Sequence, residues 1–108
     1  MNIKLNNRYI NELLEYEKVQ NGLYIVATPI GNLGDITLRS LKILSCVDLI
    51  LCEDTRISKK LTNKYGIKTK LKPFHKFNSK NSIPLIIKKL QAGLSIAIIS
   101  DAGTPTIS

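Results

Sequence analysis

Two short loops hold the residue types from which a ligand site could be built. Pro29-Ile30-Gly31-Asn32-Leu33-Gly34-Asp35 follows the apolar run Gly22-Leu23-Tyr24-Ile25-Val26-Ala27-Thr28. Ser100-Asp101-Ala102-Gly103-Thr104-Pro105 follows Leu94-Ser95-Ile96-Ala97-Ile98-Ile99. A small glycine-containing loop at the carboxyl end of a buried parallel strand is where α/β proteins take up ligands. Glycine lets a ligand come close to the main chain and tolerates positive φ. Neither loop spells the dinucleotide fingerprint G-x-G-x-x-G or the P-loop pattern. The chemistry on offer is therefore a crevice lined by main-chain groups and small side chains.

A third group, Glu53-Asp54-Thr55-Arg56, ends another apolar run. A carboxylate there, Glu53 or Asp54, could orient or deprotonate a hydroxyl, and Arg56 could meet a phosphate. Asp54 and Thr55 are also good helix-capping residues, so one of them is expected to cap. His75, in Phe74-His75-Lys76-Phe77-Asn78, is the only histidine and the only side chain with an unperturbed pKa near neutrality. It suits contact with a substrate or a structural hydrogen bond. Arg56, Lys60 and Lys64 recur every four residues with Lys59 beside them, and Lys68, Lys70, Lys72, Lys76 and Lys80 follow. Such spacing can track a phosphate backbone, with Phe74 or Phe77 stacking on a splayed base. The plainer alternative is a solvated helix face followed by a basic loop.

Charge divides the chain. Residues 1–54 hold 5 Lys/Arg against 7 Asp/Glu, and residues 55–108 hold 11 against 1, which sums to the net +8. A codon bias toward A and T would enrich Lys, Asn and Ile throughout, but would not strip acids from one half. The asymmetry points to a polyanionic partner such as RNA. The two cysteines, Cys46 and Cys52, are too few and too closely spaced for a disulfide framework or a zinc site. They read as reduced, mostly buried thiols of a cytoplasmic protein. No run of about 18 apolar residues suggests a membrane span, and the polar start Met1-Asn2-Ile3-Lys4-Leu5 lacks the apolar core of a signal peptide.

The elements that must position these residues follow from periodicity. Residues 1–21 read as an extension in which Ile10, Leu13, Leu14 and Glu17 trace a short helix. Strands are expected over Leu23–Ala27, Val47–Cys52, Lys70–Phe74 (an edge, given Pro73) and Ser95–Ile99. The first main helix starts near Asp35 or Thr37, with Leu38, Leu41 and Leu44 inward. The second follows Asp54-Thr55, turns Ile57, Leu61 and Tyr65 inward and ends at Gly66. The third covers about Ser82–Ala92, with Ile83, Ile86, Ile87 and Leu90 at i, i+3, i+4, i+7. This order predicts an α/β fold: a parallel sheet of about four strands with flanking helices and right-handed crossovers.

Three motifs in series, Thr28-Pro29-Ile30-Gly31-Asn32-Leu33-Gly34-Asp35, Glu53-Asp54-Thr55-Arg56 and Ser100-Asp101-Ala102-Gly103-Thr104-Pro105, resemble the N-terminal domain of the tetrapyrrole methylase superfamily. Within it the chain is similar to the branch that methylates a ribose 2′-hydroxyl of small-subunit ribosomal RNA. The likeness runs from Gly22 to Ser108. It implies S-adenosylmethionine as cofactor, near Pro29, Ile30, Gly31, Asp101, Ala102, Gly103, Thr104 and Ile107. It implies ribosomal RNA or the small ribosomal subunit as partner, with Arg56, Lys59, Lys60, Lys64 and His75 toward the RNA and Glu53 or Asp54 as catalytic carboxylates. No metal is implied. The segment around His75 departs from the family's His-Glu-His-Asn, having Lys76 and Phe77 instead, which weakens inference about substrate handling there.

The resemblance also implies a strand order 3-2-4-1-5 and a second domain. The chain is expected to stop after strand four, as an incomplete N-terminal domain (22–108), leaving strand one as an exposed apolar edge. A second copy, or a separate chain carrying the missing domain, would then complete it. Two other readings stay open: a shortened product without catalysis, serving at most RNA binding or assembly, and a methylase of a tetrapyrrole or other small molecule.

Overall fold

The computed structural model describes residues 19–29, 32–74 and 79–100. The elements run β1 (Gly22–Ala27), a 3-10 turn (Leu33–Asp35), α1 (Leu38–Cys46), β2 (Leu49–Cys52), α2 (Thr55–Tyr65), β3 (Lys70–Pro73), α3 (Ser79–Gln91) and β4 (Ser95–Ser100). The strands form one four-stranded sheet in the order β1-β4-β2-β3, with every pairing parallel. The expected α/β class and the order of these four strands hold. The helix expected around Ile10, Leu13, Leu14 and Glu17 lies outside the described residues.

Burial explains the order. All four residues of β2 are buried, and β4 is buried at four of its six positions. Near-continuous apolar runs of this kind belong in the middle of a sheet covered on both faces. On one face Val26, Ile50, Cys52, Ala97 and Ile99 pack under Leu41 and Leu44 of α1 and Leu61 of α2. On the other, Leu49, Leu51 and Ile96 pack against Ile86 and Leu90 of α3. Leu44, Ile50 and Ile96 have no exposed surface, and each such side chain contributes roughly 1.5–3 kcal/mol through burial.

The helix ends follow local chemistry. Thr37 caps α1, its Oγ1 accepting from Ser40 N at 3.0 Å, while Asp35 lies in the preceding 3-10 turn. Gly66 ends α2 at φ 67°, a left-handed conformation in which any side chain would be strained. Ile67 N then donates to Thr62 O at 2.8 Å.

Five expectations shift. Val47 is the C-cap of α1, its N–H donating to Ile43 O at 3.0 Å, so β2 starts two residues later than the apolar run suggested. Ile57 is half exposed, and α2 turns Ser58, Leu61 and Thr62 inward instead. Helix α3 begins at Ser79 and holds Pro84 in its interior. Its stripe is only partly used: Ile86 and Leu90 pack, whereas Ile83 and Ile87 remain 46% and 47% exposed. Leu38, in the first turn of α1, is also exposed.

Candidate functional site

The β1 and β4 strands lie side by side in parallel register, from Gly22 opposite Ser95 to Ala27 opposite Ser100. The pairing continues one step further: Thr28 N donates to Ser100 O at 3.0 Å, and Thr28 Oγ1 approaches the same oxygen at 3.4 Å. The ends of β1 and β4 thus lie side by side at the carboxyl end of the sheet, although they are far apart in sequence. The side chains at this end, Ala27, Thr28 and Ser100, are small. Such a lining leaves main-chain groups approachable and fits a cofactor gripped chiefly by backbone.

Pro29 is half-buried just beyond Thr28, and Ile30 and Gly31 lie outside the described residues. From Asn32 onward hydrogen bonds hold the loop. Asn32 Oδ1 accepts from Gly34 N at 2.9 Å and caps the 3-10 turn. A Cβ on residue 34 would sit 3.1 Å from that oxygen, so glycine suits the turn. The hydroxyl of Tyr65, from the last turn of α2, donates to Leu33 O at 2.8 Å and ties the loop to the helix. Asp101, Ala102, Gly103, Thr104 and Ile107 lie outside the described residues.

At the end of β2, Glu53 is exposed and Asp54 becomes the N-cap of α2. Asp54 Oδ1 accepts from Arg56 N at 2.9 Å and Arg56 Nε at 3.3 Å, and Oδ2 accepts from the Arg56 guanidinium at 3.3 Å. Hydrogen bonds from the Arg56 side chain and backbone hold this carboxyl below the usual carboxylate range. A carboxylate so engaged is a weak base. The neighbouring Glu53 carboxylate makes no such bonds among the described residues.

The basic residues of α2 share one face. Arg56, Lys59, Lys60, Asn63 and Lys64 are all exposed, at the i, i+3, i+4, i+7, i+8 spacing of a single helical stripe. Arg56 is 90% exposed despite its ion pair. Phe74 is half-buried and packs against Leu49, Leu51 and Ile96. His75 and Phe77 lie outside the described residues.

Neither cysteine is in a disulfide; Cys46 is half-buried and Cys52 buried. Burial pushes the Cys46 thiol up, with Lys42 opposing. No cluster of three metal-ligating side chains occurs among the described residues, and no helix there is long and apolar enough to cross a membrane.

Two positioning residues escaped the reading of the sequence. Asp48 accepts from Ser95 N at 2.9 Å and from Ser95 Oγ at 3.0 Å. Its own N–H reaches Ser95 O at 2.9 Å. This clasp sets where β4 begins against β2. The lone acid in an otherwise apolar run was its visible signal. The Tyr65–Leu33 bond had no comparable signal, because its partner is a main-chain carbonyl 32 residues away.

Comparison with known proteins agrees with this architecture. A family profile described as Tetrapyrrole (Corrin/Porphyrin) Methylases matches residues 22–108. The chain is similar to proteins named ribosomal RNA small subunit methyltransferase I. The one from Mesorhizobium japonicum is 50% identical over 90 residues, covering 83% of this chain and 31% of the relative. That from Mycoplasmopsis pulmonis is 54% identical over 86 residues, covering 80% and 39%. That from Vibrio cholerae is 50% identical over 99 residues, covering 89% and 34%. The chain thus spans about a third of the length of these relatives. The profile match starts at the first residue of β1 and takes in all four strands of the parallel sheet, and on that evidence the chain belongs to the tetrapyrrole methylase family.

Proposed function

We propose that this chain forms the N-terminal part of an S-adenosylmethionine-dependent methyltransferase acting on a ribose 2′-hydroxyl of small-subunit ribosomal RNA. The observation that carries this reading is the pairing of the ends of β1 and β4, zipped at Thr28 and Ser100, together with the exposed basic face of α2. The names of the relatives favour ribosomal RNA over a tetrapyrrole. So does a helix face that offers cations and no acid.

Bound S-adenosylmethionine would supply an electrophilic methyl carbon for in-line displacement by the ribose oxygen. In this reading Pro29, Ile30, Gly31, Asp101, Ala102, Gly103, Thr104 and Ile107 hold the cofactor mainly through main-chain contacts. Glu53 faces the ribose and takes its hydroxyl proton as the oxygen–carbon bond forms. Asp54 caps α2 and aims Arg56, which meets a phosphate together with Lys59, Lys60 and Lys64. His75, which follows β3 in the sequence, contacts the RNA. The protein's work is alignment and exclusion of water.

The family resemblance assigns the opposing wall of the crevice to a second domain. Ligand sites bury most of their ligand, so the 108-residue chain alone offers about half the contacts. Halving the roughly 8 kcal/mol of a micromolar site leaves approximately millimolar binding. Calorimetry with S-adenosylmethionine is therefore expected to give a roughly millimolar dissociation constant, with no methyl transfer to small-subunit RNA by the chain alone. Adding the remaining portion of a relative is expected to restore transfer, and Gly103→Val to abolish it. A micromolar constant for the chain by itself would overturn the divided site. No binding or transfer with the remaining portion present would overturn the methyltransferase reading.

A further inference from the structure

The basic surface does not end with α2. After Lys64 the left-handed turn at Gly66 and the buried Ile67 reverse the chain, and β3 runs back beside α2 as the outer edge of the sheet. Lys68, Lys70 and Lys72 are all exposed along this return. Lys70 and Lys72 lie opposite Leu49 and Leu51 of β2, so they stand on the α3 side of the sheet, whereas the α2 stripe lies on the other side. Leu71 between them packs toward the α2 side. No acidic residue occurs between Asp54 and Asp101, and none of these lysines makes an ion pair among the described residues.

We propose that the edge formed by Lys68, Lys70 and Lys72 is a second contact for RNA phosphates, and that the RNA wraps the β3 edge between it and the α2 stripe. This inference rests on the reading of α2 as RNA-facing. The spacing suits a backbone: Lys70 and Lys72 are two residues apart on an extended strand, about 6.6 Å, and Arg56 to Lys64 spans about 12 Å of helix. The surface fits a polyanion better than a lipid bilayer, because the apolar side of α2 is spent in the core at Leu61 and only Ile57 is exposed among its cations. Edge lysines also discourage strand pairing. That role needs no particular ligand, so the two are separable by experiment.

The test measures binding of the chain to a labelled fragment of small-subunit ribosomal RNA across a series of salt concentrations. Two variants are compared with the wild type: the α2 triple (Lys59→Gln, Lys60→Gln, Lys64→Gln) and the edge triple (Lys68→Gln, Lys70→Gln, Lys72→Gln). Each is expected to reduce the slope of log K against log salt by about 2, and affinity at 0.1 M salt by roughly a hundredfold. The edge triple rebuilt with arginine is expected to keep the wild-type slope. A wild-type slope in the edge triple, with a reduced slope in the α2 triple, overturns the second contact and leaves α2 alone on the RNA. Unchanged slopes in both overturn the RNA reading of α2 itself. Loss of binding in the arginine variant marks the effect as structural and also overturns the proposal. So does binding to phosphatidylserine vesicles in place of RNA.

Discussion

At the scale of single residues, the side chains that set the geometry are not those with the most conspicuous chemistry. Asp48 and Ser95 hold each other through both main-chain and side-chain atoms, and both are largely removed from water. Replacing Asp48 with alanine leaves Ser95 N and Oγ without their acceptor. The expected cost is about 1–3 kcal/mol, which for a domain of this size lowers the melting temperature by roughly 4–8 °C per kcal/mol. Thermal unfolding followed by circular dichroism measures this. An unchanged melting point for Asp48→Ala would mean that water replaces the carboxylate at no cost. The contrast with Asp54 is instructive. Both acids sit beside apolar runs in the sequence, yet one clasps two strands while the other caps a helix and braces Arg56. Types and spacing made Asp54 a capping candidate in advance. The partner of Asp48 lies 47 residues away and could not be read locally.

At the scale of elements, helix α2 shows how periodicity finds a helix but leaves its rotation open. Ile57, Leu61 and Tyr65 recur every four residues, which predicted an inward stripe. In the fold Leu61 is 2% exposed and Ile57 is 50% exposed. The helix is turned so that Ser58 and Thr62 go inward with Leu61, which places Arg56, Lys59, Lys60 and Lys64 together in solvent. Leu61→Ala is therefore expected to destabilise by about 2–5 kcal/mol, and Ile57→Ala by no more than about 0.5 kcal/mol. Urea unfolding of the two variants checks this directly, and equal losses would show that the helix is rotated. The same limit applied to α3, whose four-residue apolar stripe is real but only half covered. A sequence pattern records which side chains avoid water, and the sheet beneath decides how many of them it can shelter.

At the scale of the whole molecule the two edges of the sheet differ. The β3 edge is short and carries Lys70, Lys72 and Pro73, all features that resist pairing with another strand. The β1 edge has none of these, and Leu23 and Ile25 are 46% and 43% exposed on the side of the sheet that α3 covers only in part. Among the described residues no strand pairs with the outer side of β1. The chain is accordingly expected to self-associate as its concentration rises, and Ile25→Lys to shift it toward monomer. Sedimentation velocity over a wide concentration range is the measurement. A stable wild-type monomer at high concentration would mean that the β1 edge is already guarded.

The sequence by itself determined the order and type of the main elements, the edge position of β3, that Asp35 or Thr37 would cap α1 and Asp54 or Thr55 would cap α2, and the accumulation of cations after residue 54. Each of these depends on side-chain chemistry within a few residues, or on an apolar run that can be sheltered in only one way. Only the tertiary structure decided that Thr28 and Ser100 meet, that Asp48 clasps Ser95, that Tyr65 steadies the loop at Leu33, and that Ile57 stays in water. Those outcomes depend on strand register and on the rotation of helices over the sheet. Register and rotation are fixed by the fit of the packed layers as a whole, which no local run of residues encodes.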